Sequence, residues 1–201
     1  AAAGTTLFSG HEVLANRFSN KKAKNIIFLV SDGMSTGTLH MANLYCERTF
    51  GKSSHWISLY KERRAIRALM DTQSANSIVT DSAAASSAFG GGFRVNNGSL
   101  NVGPEGKENM PIWQKFKKKG KKAGVVTSVT ATHATPAGFC VTSKSRSAEP
   151  EIAEDYLRLG IDVVMGGGDE HFNAEHRKDK KDLYSAYKTS GYQVARSREE
   201  L

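Results

Sequence analysis

Gly124-Val125-Val126-Thr127-Ser128-Val129, running on into Thr132-His133-Ala134-Thr135-Pro136, is the stretch that decides the fold. Its first half is a short apolar run after a glycine, the form of a strand buried on both faces; its second half gathers polar groups just past that strand's C-terminal end. The same order recurs along the chain. Ile26-Ile27-Phe28-Leu29-Val30 stops at Ser31-Asp32-Gly33, and Ser77-Ile78-Val79-Thr80 turns at Asp81-Ser82 into the helix-forming run Ala83-Ala84-Ala85-Ser86-Ser87-Ala88 before Gly90-Gly91-Gly92. Ile161-Asp162-Val163-Val164-Met165, closed by Gly166-Gly167-Gly168, and Tyr192-Gln193-Val194-Ala195 give two more expected strands.

Helical segments fall between these runs. Leu39, Leu44 and Tyr45 suit one side of a helix, and a lysine-rich helix follows Pro111-Ile112-Trp113 and ends near Gly120. Glu149 to Leu159 carries Ile152, Tyr156 and Leu159 at helical spacing, with Pro150 in the first turn and Gly160 as C-cap. A last helix is expected around Asp182 to Lys188, capped by Gly191. Alternation of this kind implies an α/β fold, a mainly parallel sheet with helices on both faces and right-handed crossovers. Residues 1–24 are small, polar and basic and read as a lead-in segment, with the α/β domain over residues 25–201. No repeat at a solenoid period is present.

Composition bounds the function. Apolar residues at 39% and charged residues at 24% describe a globular chain rather than a disordered or collagen-like one. A formal charge of +8 favours anionic partners, whether a phosphate ester, a nucleic acid or an acidic surface. Lys115, Lys117, Lys118, Lys119, Lys121 and Lys122 read first as a solvated helix face, with Ile112, Trp113 and Phe116 turned inward. Cys46 and Cys140 occur without a CxxC pair, so neither a thiolate zinc site nor a disulfide framework is indicated. No apolar run reaches the ~18 residues that span a bilayer. Ala1-Ala2-Ala3-Gly4 carries no signal sequence of its own and is expected to be what remains after an export signal is trimmed.

In open parallel sheets, ligands bind beyond the carboxyl ends of the strands, where loops and helix N-termini converge. Asp32, Asp81, Ser82, His133 and Thr135 all fall at that edge. A serine at a helix N-terminus has backbone N–H donors and a positive dipole end beside it, suited to binding phosphate oxygens and stabilising an alkoxide. A plain N-cap accounts for the same residue, and an N-cap role accounts for Asp81. No G-x-S-x-G surrounds Ser82, so an α/β-hydrolase nucleophile elbow has no support.

Thr80-Asp81-Ser82-Ala83-Ala84-Ala85 resembles the nucleophile motif of the alkaline phosphatase family. Asn25 through Met34 resembles that family's first core strand with its metal-binding aspartate, and Thr132-His133-Ala134-Thr135-Pro136-Ala137-Gly138 its magnesium segment. The motifs stand in family order. Val163 through Gly168 and Gly191-Tyr192-Gln193-Val194 resemble later family strands, so the similarity runs from Asn25 to near the end of the sequence.

The resemblance implies hydrolysis of phosphate monoesters through a phosphoserine at Ser82, with two zinc ions and one magnesium. Asp32 would bridge the second zinc and the magnesium, Ser82 would meet zinc, Thr135 would be a magnesium ligand, and His133 would hold water near magnesium or serve as a structural histidine. Arg146 would grip two phosphate oxygens through its planar fork, oriented by Asp81; a surface salt bridge is the plain alternative for Arg146. The implied partners are a phosphate monoester and inorganic phosphate, in a homodimer when full length, periplasmic or extracellular, with no nucleic acid and no membrane span.

The family's remaining ligands come from a C-terminal half, so the 201-residue chain is expected to hold an incomplete zinc pair and to turn over little on its own. His171 and His176, with Asp169, Glu170 and Glu175, follow the Gly166 to Gly168 loop without an HExxH pattern and are expected at the surface. Related superfamily hydrolases or phosphomutases are the alternative within the fold. Sulfatases need a C-x-P-S-R type cysteine, and neither cysteine sits in one. A basic nucleic-acid binder would use the lysine cluster, but no aromatic stacking pattern accompanies it.

Overall fold

The computed structural model describes residues 23–201, which fall into two compact units, the first ending at Met41 and the second running from Ala42 to Leu201. In the first unit the expected strand does not form. Ile26, Ile27, Phe28, Leu29 and Val30 lie in no ladder, with exposures from 41% to 82%. A run that is apolar on both faces becomes a strand only when neighbours complete its backbone hydrogen bonds and cover both sides. Among the described residues no β-ladder or bridge includes it. The run ends, as expected, in a turn at Asp32–Gly33, where Met34 N–H donates to the Ser31 carbonyl and Gly33 takes φ +69°. Helix α1, Thr36–Phe50, follows, and the unit boundary falls within it.

The second unit is built on a parallel pair, β1 (Gly124–Thr130) and β2 (Val163–Gly167). Gly124 registers with Val163, Val125 with Val164 and Val126 with Met165, and an irregularity follows before Thr130 meets Gly167. Period-two alternation turns Val125 and Val164 toward the core and leaves Val126 and Met165 outside. The helices of the unit are α2 (His55–Lys61), α3 (Ser82–Gly91), α4 (Ile112–Lys118), α5 (Ala134–Ala137), α6 (Glu149–Leu159) and α7 (Leu183–Thr189). One core cluster joins Leu100, Trp113, Cys140, Val141, Ile152, Tyr156 and Ile161; a second joins Ala131, Ala153, Phe172, Leu183 and Tyr187. Both cysteines are free thiols, and burial pushes the Cys140 thiol well up.

The helix ends follow the sequence signals. Asp81 caps α3 by accepting from the Ala84 N–H at 2.8 Å, and Gly92, at φ +80°, closes it. Gly160, at φ +70°, ends α6, whose buried face is Ile152, Ala153 and Tyr156. Of the lysine-rich helix, Trp113 is buried while Ile112 is exposed, so the inward face is narrower than expected.

Two further expected strands are absent. At 77–80, Ser74 N–H donates to the Ser77 carbonyl and Ser77 Oγ accepts from Val79 N–H, so local turns take the groups a ladder would use. Ile78 and Val79 are left exposed. At 192–195, Tyr192 N–H donates to the Tyr187 carbonyl and its ring meets Tyr187 edge-on at 5.0 Å, which ties the segment to the end of α7 instead.

What sets the geometry of the site is the contact of α3 with α5. Ser86 Oγ donates to the Ala134 carbonyl at 2.8 Å, and a Cβ on Gly138 would stand 2.0 Å from that hydroxyl. Asn101 locks the far side, its amide donating to the carbonyls of Gly138 and Val141, each at 2.8 Å. Small residues here let two backbones touch, which fixes the start of α3 against the turn that opens α5.

Candidate active site

Asp81 and Ser82 stand at the start of α3, His133 and Thr135 at the start of α5, and Arg146 in the segment before α6. Asp81 joins them. Its Oδ1 caps α3, while Oδ2 accepts from the Gly98 N–H at 2.9 Å and from Arg146 Nη1 at 3.1 Å. Its own N–H donates to Asn97 Oδ1 at 3.0 Å. With both oxygens engaged, the carboxylate holds the guanidinium against Asp81, the residue that precedes Ser82. The pair is partly buried, with side chains 24% and 30% exposed, so solvent screens it only in part. Ser82 is half-buried at the first position of α3.

The other arm of Arg146, Nη2, lies 3.1 Å from His133 Nε2. A guanidinium only donates, so this contact requires a bare Nε2 and places the ring proton on Nδ1. The Thr135 N–H also faces Nδ1, at 3.3 Å. A neutral imidazole has one bare nitrogen, so the two contacts are alternatives, and the shorter, charge-assisted one to Arg146 is the stronger.

Behind this row lies a second group that the sequence reading did not single out. Glu149 Oε2 accepts from the hydroxyls of Thr130 and Thr132, each at 2.7 Å, and stands 3.1 Å from His171 Nε2. Burial opposes its ionised form, yet the hydrogen bonds of Thr132 and Thr130 and the nearby His171 and His133 hold its carboxyl below the usual range. His171, expected at the surface, is only 16% exposed. His176 stays more exposed, 2.8 Å from Asp169. The buried Arg177 donates to the carbonyls of His171 at 2.8 Å and Pro150 at 3.0 Å, which holds the turn after β2 against the start of α6.

Asp32 belongs to the first unit, where it is exposed in the turn that follows residues 26–30. Among the described residues no three His, Cys, Asp or Glu side chains gather to hold a metal ion. Thr135 offers a hard oxygen donor of the kind magnesium takes, but the nitrogen and carboxylate set that a zinc pair requires is not assembled by the described residues.

The alkaline phosphatase family model matches residues 23–201. The chain belongs to the alkaline phosphatase family. The crystal structure of the Thermus thermophilus alkaline phosphatase is similar at 42% identity and TM-score 0.81, over 85% of this chain and 36% of that one. Alkaline phosphatase 4 of Bacillus subtilis is 28% identical over 99% of this chain and 44% of its own length. A His-to-Asp variant of the alkaline phosphatase from the Antarctic bacterium TAB5, with Mg bound in its M3 site, is 28% identical with TM-score 0.64, over 78% of this chain and 44% of that one. The chain thus spans less than half the length of these relatives. The TM-score of 0.81 to the Thermus thermophilus structure agrees with an α/β fold, which the second unit displays in the parallel pair β1 and β2 with helices packed against it.

Proposed function

We propose that this chain carries the nucleophile and the phosphate-gripping arginine of a phosphate monoester hydrolase, with Ser82 attacking phosphorus. The observation that supports this reading most is the doubled role of Asp81, which caps the helix that Ser82 opens and pairs with Arg146 at 3.1 Å. Arg146 presents paired N–H donors to two non-bridging phosphate oxygens, and the N-terminal end of α3 adds its dipole to the same charge. Ser82 Oγ forms the new bond to phosphorus as the ester oxygen departs on the opposite side, taking a proton on release. Water then breaks the phosphoserine bond and returns Ser82 with its proton, leaving inorganic phosphate. His133 steadies the second arm of Arg146 until phosphate takes it.

Two zinc ions and one magnesium belong to the proposal as metals that would lower the proton affinity of the serine oxygen and balance phosphate charge. The described residues do not assemble a zinc site. An exported, periplasmic or extracellular homodimer acting on phosphate esters completes the proposal; no described helix is long and apolar enough to cross a membrane.

The test is hydrolysis of p-nitrophenyl phosphate, with zinc and magnesium supplied, by the 201-residue chain and by any longer protein that contains it. Radiolabelled phosphate is trapped on serine by acid quench in parallel. Ser82→Ala is expected to abolish both the label and turnover, and Arg146→Ala to weaken phosphate binding and slow turnover. Turnover that survives Ser82→Ala unchanged refutes the assignment.

A further inference from the structure

Glu149 opens α6 three residues after Arg146, and its contacts differ from those of an ordinary helix-start acid. Glu151, in the same first turn, is exposed, as an acid that merely complements the helix dipole would be. Glu149 instead receives three converging groups on one oxygen: Thr130 from the last position of β1, Thr132 from the turn that follows, and His171 from the short 3₁₀ turn Asp169–His171 after β2. Thr132 is fully buried and directly precedes His133.

These contacts close a ring. From Glu149 the path runs through the Thr132 hydroxyl to the neighbouring His133, across 3.1 Å to Arg146, and back through Ser147 and Ala148 to Glu149. Asp81 hangs from the same ring through its 3.1 Å contact with Arg146. Ala148, the N-cap of α6, makes no side-chain cap bond, so the carboxylate one residue later is what ties the helix start to the turn. Arg177 braces the opposite side by holding the carbonyls of Pro150 and His171.

We infer that Glu149 is a positioning residue for the phosphate-gripping site: its carboxylate fixes the Thr132–Thr135 turn against the start of α6 and so sets the distance between His133 and Arg146. This inference rests on the function proposed for Arg146 and His133, but its geometric part stands apart from turnover. Partners of metal-ligating groups, which likewise act through a neighbour, typically alter metal affinity or activity by about 10–100-fold when removed, and a change of that order is the guide here.

Two variants and one control decide it. Glu149→Ala removes the acceptor, and Thr132→Val removes one donor while keeping the shape of the side chain, which guards against an alanine variant that does not fold. Tyr187→Phe, which loses the hydrogen bond from Tyr187 to the Ala153 carbonyl, supplies a destabilised protein with the ring intact. In protein labelled uniformly with nitrogen-15, the His133 ring resonances and the Thr135 and Arg146 amides are expected to shift in Glu149→Ala and in Thr132→Val but to hold in Tyr187→Phe. His133 and Arg146 signals that stay at wild-type positions in both variants overturn the inference, whatever happens to the melting temperature.

In a form that hydrolyses p-nitrophenyl phosphate, Glu149→Ala is expected to lower kcat/KM at least about 10-fold at temperatures where it is folded. An unchanged kcat/KM there overturns the inference as well. Absence of turnover by the unmutated protein counts against the proposed function instead, and the ring resonances still decide the role of Glu149.

Discussion

Replacing Asp81 by Asn changes one atom's chemistry and none of the shape, and its cost follows from the contacts. Asp81 Oδ1 accepts the Ala84 N–H, and Oδ2 accepts both the Gly98 N–H and Arg146 Nη1. An asparagine keeps one carbonyl oxygen. Aimed at Ala84, it preserves the cap but sets its own NH2 against two donors; turned over, it serves Gly98 and Arg146 and leaves the cap unmade. The second choice forfeits about 1 kcal/mol. The first loses a charge-assisted bond of about 1.5–3 kcal/mol, taken at the low end because the pair is partly exposed, together with a neutral bond of about 1 kcal/mol. The side chain takes the cheaper orientation, so a loss of about 1 kcal/mol is expected, or roughly 2–4 °C in melting temperature for a chain of this size. Urea or thermal denaturation of the parent, Asp81→Asn, Arg146→Ala and the double variant measures it and the coupling of the two residues. A loss below about 0.5 kcal/mol, or purely additive single variants, would show that the pairing seen here does not hold α3 to Arg146.

Gly138→Ala is expected to cost about 3 kcal/mol, the upper end for overpacking, because the new Cβ would stand 2.6 Å from Ser86 Cβ and 2.9 Å from its backbone carbon. Chemical denaturation checks it, with Ser86→Gly recovering part of the loss. Asp162 is held at about 2: burial would raise it, but the Ala123 N–H and the ammonium groups of Lys117 and Lys122 outweigh burial. Because its folded value lies below the ordinary 3.8, its contribution is present above pH 4 and is lost as pH falls toward 2. Acid unfolding followed by circular dichroism should therefore be less steep in Asp162→Asn. Inorganic phosphate that engages Arg146 frees His133 Nε2, so the ring is expected to change tautomer, read from its nitrogen-15 shifts; a titration that leaves those shifts unmoved contradicts the proposed role of Arg146.

How far the sequence could be read depended on how local each signal is. The ends of α3 and α6 were legible because Asp81, Gly92 and Gly160 act on their own helices. β1 and β2 were legible because each apolar run meets its partner inside the described chain. Residues 26–30 carry a stronger apolar pattern and form no strand, since pairing is a property of neighbours and not of the run itself. Residues 77–80 were misread because short polar side chains at Ser74 and Ser77 take up the backbone groups. At the site, the string around Ser82 was legible, and its nearness to Arg146 was expected only through the family resemblance. Glu149 gave no signal. Beside Pro150 it looks like any first-turn acid, and no spacing announces that Thr130, Thr132 and His171 converge on it.

Cys140 gives the molecule a built-in clock. Its thiol lies wholly inside the core and resists ionisation, so a thiol-reactive dye can reach it only when the packing around Leu100, Trp113 and Tyr156 comes apart. Cys46 is partly accessible and labels from the intact state. The ratio of the two labelling rates thus reports the opening frequency of the core cluster that Ala83, the neighbour of Ser82, shares with Cys140, with no engineered probe.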